Sequence, residues 1–188
     1  PLLYDTTRKA AALAERELAE ITDKLRKQVA GEVRMDRYTR LMYSTDASIF
    51  QMEPIGVVVA RSADDVEATI RIAGEHGVPV MPRGGGTALA GQTCNHAIVI
   101  DFSKYMRSVL EVNAEERWVR TQPGIILDEL NHRLEPHRLH FAPDPSTSNR
   151  GNVGGALGNN SCGAHSIMWG KTVHLVNIID GLAPHDGV

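Results

Sequence analysis

The sequence predicts an α+β fold in two lobes, preceded by an N-terminal helix. Three observations carry this reading. Strands alternate with helices early in the chain, a hairpin breaks the alternation later, and one glycine-rich stretch falls in each half. Uninterrupted alternation favours a doubly wound parallel sheet; short strands with an intervening hairpin favour α+β.

Thr7 to Val29 reads as a helix, because Leu18, Ile21, Leu25 and Val29 recur three or four apart among charged residues and Gly31 supplies a stop. A polar connection, YSTDASIFQMEP, runs to a loop end at Pro54. IGVVVA is a strand by its β-branched run, and Ser62 with Asp65 caps a helix from Ser62 to His76 that Gly77 ends. VPVMP is a short strand that delivers Gly84, Gly85 and Gly86 at its C-terminal end, and AIVIDF is the next strand. SVLEVNAEERWVRTQPG reads as a hairpin, two alternating runs joined by NAEE. Ile125 to Leu134 reads as a helix and LHFAP as a short strand. PDPSTSNRGNVGGALGNNSCGA then forms a second loop, expected to face the first across a cleft between the lobes. Apolar alternation resumes in TVHLVNIIDGL, and His185-Asp186-Gly187 reads as a turn whose returning strand is missing, which suggests a fragment of something longer.

Composition narrows the function classes. The 188 residues are 42% apolar and 23% charged, ordinary for one globular domain or two small lobes with a real core. A net charge of −3 and 5% aromatics argue against nucleic acid as a partner. No apolar run reaches the roughly 20 residues of a membrane span, and PLLYDTTRKA is no signal peptide. Cys94 and Cys162 cannot make a disulfide framework or, alone, an iron–sulfur cluster, and both are expected to stay reduced. His132, His137 and His140 bracket Pro136, where a solvated helix end outweighs a zinc site, and no metal is expected.

The chemistry lies in the glycines. Consecutive glycines lose the most backbone entropy on folding, so either a bare turn needs positive φ or a ligand lies against the exposed N–H groups. Spacing removes the familiar motifs. Gly84-Gly85-Gly86 is followed by Thr87-Ala88-Leu89-Ala90 before Gly91, which fits neither the dinucleotide fingerprint nor a kinase loop. Gly170-Lys171-Thr172 would need a glycine where His165 stands to complete a Walker A motif. What remains is a concave nest of successive N–H groups suited to a diphosphate, with Thr87 adding a hydroxyl and Arg83 adding a positive field or bracing the loop. The second stretch sets Gly151, Gly154, Gly155, Gly158 and Gly163 among Asn152, Asn159, Asn160 and Ser161, neutral donors and acceptors that suit a flat heterocycle. Two tight structural loops at a lobe interface are the competing reading, and it weakens when both stretches are taken together.

MPRGGGTALAGQ, followed by PDPSTSNRGNVGGALGNNSCGAHS, resembles the flavin-binding domain of the vanillyl-alcohol-oxidase/PCMH-type flavoproteins. Within that family the resemblance is strongest to the 2-hydroxyacid branch of D-lactate dehydrogenases, glycolate oxidase FAD subunits and D-2-hydroxyglutarate dehydrogenases. YSTDASIFQMEPIGVVVARS, GNNSCG and GKTVHLV are most similar to its long bacterial members that fuse FAD and iron–sulfur parts. The resemblance implies an N-terminal helical extension over 1–37 and a PCMH-type FAD-binding domain over 38–188, without the C-terminal substrate domain. It implies that Pro82, Arg83, Gly84, Gly85, Gly86, Thr87, Ala88, Leu89 and Gln92 surround the FAD diphosphate. Pro143, Ser146, Asn152, Val153, Gly154, Gly155, Gly158, Asn159, Asn160, Ser161 and Gly163 would line the diphosphate, ribityl and isoalloxazine.

No histidine stands in the first loop for covalent attachment, so noncovalent FAD is expected. Where the family carries Gly-Gly-Asn, this chain has Gly154-Gly155-Ala156, one polar contact fewer. The implied reaction is oxidation of a D-2-hydroxy acid, with hydride passing to flavin N5. The electron acceptor or iron–sulfur part would lie elsewhere in the full protein, which is expected in the cytoplasm or peripherally at the inner face of the membrane. No catalytic base is assigned; His165 reads more readily as bracing the second loop. Other PCMH-type reactions on sugars, aryl alcohols or UDP-sugars, and a noncatalytic nucleotide-binding module, are the alternatives.

Overall fold

The computed structural model describes residues 15–177 and 179 of the chain. Helix α1 (Glu15–Gln28) comes first, with Ile21 and Leu25 fully buried. They pack with Val29 against Ile72 and Ala73 of a later helix, so α1 belongs to the same core as the sheet. The Thr7–Ala14 part of the expected helix lies outside the described residues. Two short elements follow that no periodicity could announce, β1 (Glu32–Arg34) and α2 (Arg37–Met42). Asp36 caps α2, its Oδ1 accepting from the Thr39 amide at 2.9 Å.

The first lobe is a four-stranded mixed sheet. It contains β2 (Gly56–Val59), β3 (Val80–Arg83) and β4 (Ile98–Asp101), with α3 (Ala63–Glu75) between β2 and β3. Strand order is β1-β2-β4-β3; β1 runs antiparallel to β2, while β2, β4 and β3 are mutually parallel. Every residue of β2 and β4 is buried, which explains their unbroken apolar runs. Ser62 caps α3 as expected and Gly77 leaves it at φ +64°. Because β3 and β4 are parallel neighbours, the chain must return the length of the sheet between Arg83 and Ile98. The glycine triplet sits at the outgoing corner, beyond the carboxyl end of β3, where open sheets with parallel strands tend to bind ligands.

The second lobe is built on the hairpin β5 (Val109–Asn113) and β6 (Trp118–Thr121), covered by α4 (Leu127–Leu134). Ile125, Leu130 and Leu134 form its core against Val109, Val112 and Val119. Two sequence expectations do not hold here. LHFAP is no strand: Leu139 and Phe141 pack on the same core, and the Phe141 amide donates to Asn131 Oδ1 at 2.8 Å rather than to a strand partner. The second glycine stretch is not all loop, because Val153–Gly158 forms a helix, α5. Tertiary packing overrides the poor helix propensity of its glycines: Val153 joins the hairpin core, Ala156 is buried, and a Cβ on Gly154 would lie 2.8 Å from Pro123 Cβ.

After the short helix α6 (Ser166–Trp169), Thr172–His174 forms a 3₁₀ turn where the alternation of TVHLVNIIDGL suggested extended chain. Thr172 is buried there and donates to the Ser161 carbonyl at 2.8 Å, folding the segment back onto the second stretch. The expected turn at His185–Gly187 lies outside the described residues. Among the described residues no helix is long and apolar enough to cross a membrane.

One buried carboxylate on α3 ties the α1–β1 turn to the β2–α3 turn. Asp65 is 1% exposed and accepts from the Ala30 amide at 2.7 Å and the Arg61 amide at 2.8 Å. Asp65→Ala leaves both donors without their acceptor, and urea unfolding is expected to show a loss of about 2–4 kcal/mol. An unchanged midpoint would mean that water or a neighbouring carbonyl takes over both amides.

Candidate functional site

The two glycine-rich segments form the two walls of one cleft of about 390 Å³. Gly84 and Gly85, beyond the end of β3, lie against Arg150 and Asn152, just before α5. A Cβ on Gly85 would stand 2.2 Å from the Arg150 carbonyl oxygen, and one on Gly84 would stand 2.7 Å from Asn152 Oδ1. Only glycine permits that approach. The triplet also turns with Gly86 at φ +63°.

Other glycines have a different reason. A Cβ on Gly155 or Gly158 would meet nothing within 4 Å, and both residues line the cleft. The protein's own packing does not require glycine there, but a molecule lying against α5 would. Across from them, the amides of Gly85, Gly86, Thr87 and Ala88 donate to no acceptor among the described residues, an open row of donors of the kind that cradles an anion.

Asn152 sits between the walls. It is 3% exposed, and its Nδ2 donates to the Gly124 carbonyl at 2.5 Å. Its Oδ1 is buried without a hydrogen-bond partner. A buried acceptor left unpaired costs about 1–3 kcal/mol, so this oxygen awaits a donor. A hydroxyl chain or a ring N–H of a flavin fits that demand, and the row of free amides fits a diphosphate.

Among the described residues, Arg83 is the only ionisable side chain on the cleft wall. Its guanidinium is spent on protein partners, donating to the Thr45 carbonyl at 2.9 Å and to Thr93 Oγ1 at 3.2 Å. It also lies over the Tyr43 ring, 5.6 Å from its centre. Burial and a hydrogen bond donated to Asp101 push the Tyr43 hydroxyl well above the usual phenol range, keeping it neutral. Of the two roles the sequence offered Arg83, this geometry shows the brace.

The structure brings Pro82, Arg83, Gly84, Gly85, Gly86, Thr87, Ala88 and Gln92 to one wall and Asn152, Gly154, Gly155, Gly158, Asn159 and Ser161 to the other. Leu89, Pro143, Ser146, Val153, Asn160 and Gly163 do not line the cleft. Leu89 is 79% exposed; Val153 packs in the hairpin lobe; Asn160 Oδ1 accepts from the Val173 amide at 3.1 Å. A Cβ on Gly163 would lie 1.9 Å from the Asp144 carbonyl oxygen, so that glycine serves the folding of its own segment. Sequence reasoning missed Met81, Thr93, Phe102, Pro123 and Leu127 on the walls. Pro123-Gly124 carried a turn signal, whereas nothing in the sequence marked Phe102.

His165 lies off the cleft, with Nδ1 3.4 Å from Asp144 Oδ2 and its carbonyl starting α6. His132 pairs with Glu135 at 3.7 Å on the exposed end of α4. Both cysteines are free thiols.

Comparison with known proteins gives this geometry its context. The sequence profile of a family described as "FAD binding domain" matches residues 54–182. D-2-hydroxyglutarate dehydrogenase of Pseudomonas putida is 45% identical over 145 residues, 76% of this chain and 14% of that protein. Glycolate oxidase subunit GlcD of Bacillus subtilis is 35% identical over 150 residues, 77% of this chain and 32% of that protein. Among solved structures, 4-ethylphenol oxidase from Gulosibacter chungangensis superposes with a TM-score of 0.72 at 22% identity, covering 84% of this chain and 32% of its own. That likeness concerns the fold alone.

The two classes of glycine separate experimentally. Gly85→Val should spoil the wall itself, through the 2.2 Å clash with Arg150. Gly155→Leu points into open space and replaces a poor helix former, so the free protein should be as stable as the parent or more so, by up to about 1 kcal/mol. Both should weaken FAD binding by about tenfold or more, measured by flavin fluorescence quenching beside a thermal melt. Parent-like FAD affinity in Gly155→Leu would place the ligand elsewhere.

Proposed function

The chain belongs to the FAD-binding domain family, and from that premise we propose that it is the flavin-holding part of an oxidoreductase acting on a D-2-hydroxy acid of the lactate, glycolate or 2-hydroxyglutarate class. The observation that carries the reading is the shared cleft, with free amides on one wall and the unpartnered Asn152 Oδ1 on the other. FAD, when bound, supplies acceptance of hydride at N5 from the substrate carbon.

The chain's residues bind and orient. The amides of Gly85 to Ala88 hold the diphosphate, and Asn152 Oδ1 takes a hydrogen bond from the ribityl chain or the ring. Asn159 and Ser161 add neutral polar groups farther along the same wall. Gly155 and Gly158 let the ring system lie close to α5. Pro143, Ser146, Val153, Asn160 and Gly163 would support the site from behind its walls, while Leu89 stands exposed beyond them. Attachment is noncovalent, since the segment from Pro82 to Gln92 holds no histidine.

Among the described residues the cleft carries no carboxylate, histidine or lysine, and Arg83 is already engaged. Nothing on these walls can take the substrate's hydroxyl proton or clamp its carboxylate. This chain spans 14% of the D-2-hydroxyglutarate dehydrogenase of Pseudomonas putida, and we place base, carboxylate clamp, iron–sulfur part and electron acceptor in the remainder of a longer, cytoplasmic protein. We place the flavin domain over 38–188, with 1–37 as an extension whose α1 and β1 pack on its core and pair with its sheet.

Heating the flavin-loaded protein should release FAD without protease treatment, identified by chromatography; FMN or a nicotinamide nucleotide would contradict the proposal. Mixed anaerobically with D-lactate, D-2-hydroxyglutarate or glycolate, the loaded chain by itself should not bleach, because half a site cannot hold the reacting atoms within about 3–3.5 Å. Rapid bleaching would mean that this chain carries its own base, with His165 the first residue to replace.

A further inference from the structure

A connection between α2 and β2, read from the sequence as a polar loop, closes over the glycine triplet. Its Ala47 amide donates to the Gly86 carbonyl at 3.1 Å, and its Thr45 carbonyl accepts from Arg83 at 2.9 Å. Phe50 lies against Gly91, where a Cβ would stand 2.7 Å from the ring. The segment is itself tied into a short hairpin by the Thr45–Gln51 bridge and by the Met52 amide, which donates to the Ser44 carbonyl at 2.8 Å.

Asp46 stands at the centre of these contacts. Its Oδ1 accepts from the Ser48 amide at 2.9 Å, shaping its own turn. Its Oδ2 accepts twice from Thr93, from the amide at 3.3 Å and from the hydroxyl at 3.1 Å. The Thr93 hydroxyl in turn accepts from the Arg83 guanidinium at 3.2 Å. A relay therefore runs from Asp46 through Thr93 to Arg83 and spans both ends of the glycine-rich segment.

We propose that Thr45–Phe50 is a strap that fixes the first glycine-rich segment in its ligand-ready shape, with Asp46 as the positioning residue that anchors it. The inference rests on the FAD reading for its purpose, but not for its geometry. Asp46 does not line the cleft, so it acts on a bound group only through Thr93 and Arg83. Its protonation state suits the role. Partial burial pushes the carboxyl up, but the hydrogen bonds from Ser48 and Thr93 outweigh it and hold the pKa at about 2. With the folded pKa depressed, the anchor is fully present above the usual aspartate range near 4 and is lost as pH falls through about 2. At neutral pH it is always charged.

The reason for such a device lies in the triplet itself. Consecutive glycines have more conformations to lose than any other sequence, so an unrestrained segment would lose that entropy when the ligand binds. A strap that orders the segment in advance makes binding tighter without touching the ligand.

Asp46→Asn keeps the size and the Ser48 contact but turns a donor toward the Thr93 amide. In the flavin-free chain, hydrogen exchange at the Thr93 and Ala47 amides, which bridge strap and glycine segment, should then rise by about tenfold while β2 and β4 exchange as in the parent. The FAD dissociation constant should rise by a similar factor. Thr93→Val should reproduce the rise in exchange, and the double variant should add nothing to it. Exchange and affinity unchanged in Asp46→Asn would overturn the proposal, as would faster exchange throughout β2 and β4. A parent chain that takes up no FAD would count against the function proposed above; the exchange comparison then decides the strap by itself.

Discussion

The site depends on one close approach. At Gly85 and Arg150 the backbones of the two lobes come so near that a single added carbon would overlap a carbonyl oxygen. Everything else about the cleft follows from that contact. It places Asn152 beside Gly84, it sets the free amides of the triplet opposite α5, and it leaves one opening between lobes that have separate hydrophobic cores. The sheet contributes by bringing β3 to its end there, and the hairpin lobe by presenting the Asn152 corner through the Ile126–Asn152 bridge.

The electrostatics of the cleft are those of neutral donors rather than of charges. The Arg83 guanidinium on the wall is consumed by Thr45, Thr93 and the Tyr43 ring. Oriented N–H dipoles suit an anionic group, since they need no counter-charge and no side-chain ordering at the moment of binding. Fixing those dipoles becomes the structural problem, and the contacts from Arg83 and the Thr45–Phe50 segment answer it.

Much of this was legible in the sequence. The unbroken runs of β2 and β4, the Ser62 and Gly77 boundaries of α3 and the alternation of the hairpin are local signals, and local signals survive in one dimension. Both glycine segments were found because glycine clusters are costly without a use. The rest is not local. Gly85 and Gly155 look alike in sequence, yet one is glycine because of a carbonyl across the cleft and the other because of open space. LHFAP carries a strand-like pattern but has no strand beside it, and α5 forms on packing that its glycines oppose. The strap was hidden for the same reason: Asp46 pairs with Thr93 far along the chain, and only the Asp46–Ser48 turn was local enough to read.

The central claim is that the two glycine-rich segments hold one molecule between them. Amide hydrogen exchange on the chain with and without saturating FAD tests it most directly. Protection should rise together over 84–92 and 151–161, and little over the hairpin strands β5 and β6. Protection confined to one segment, or absent from both while FAD is demonstrably bound, would contradict it.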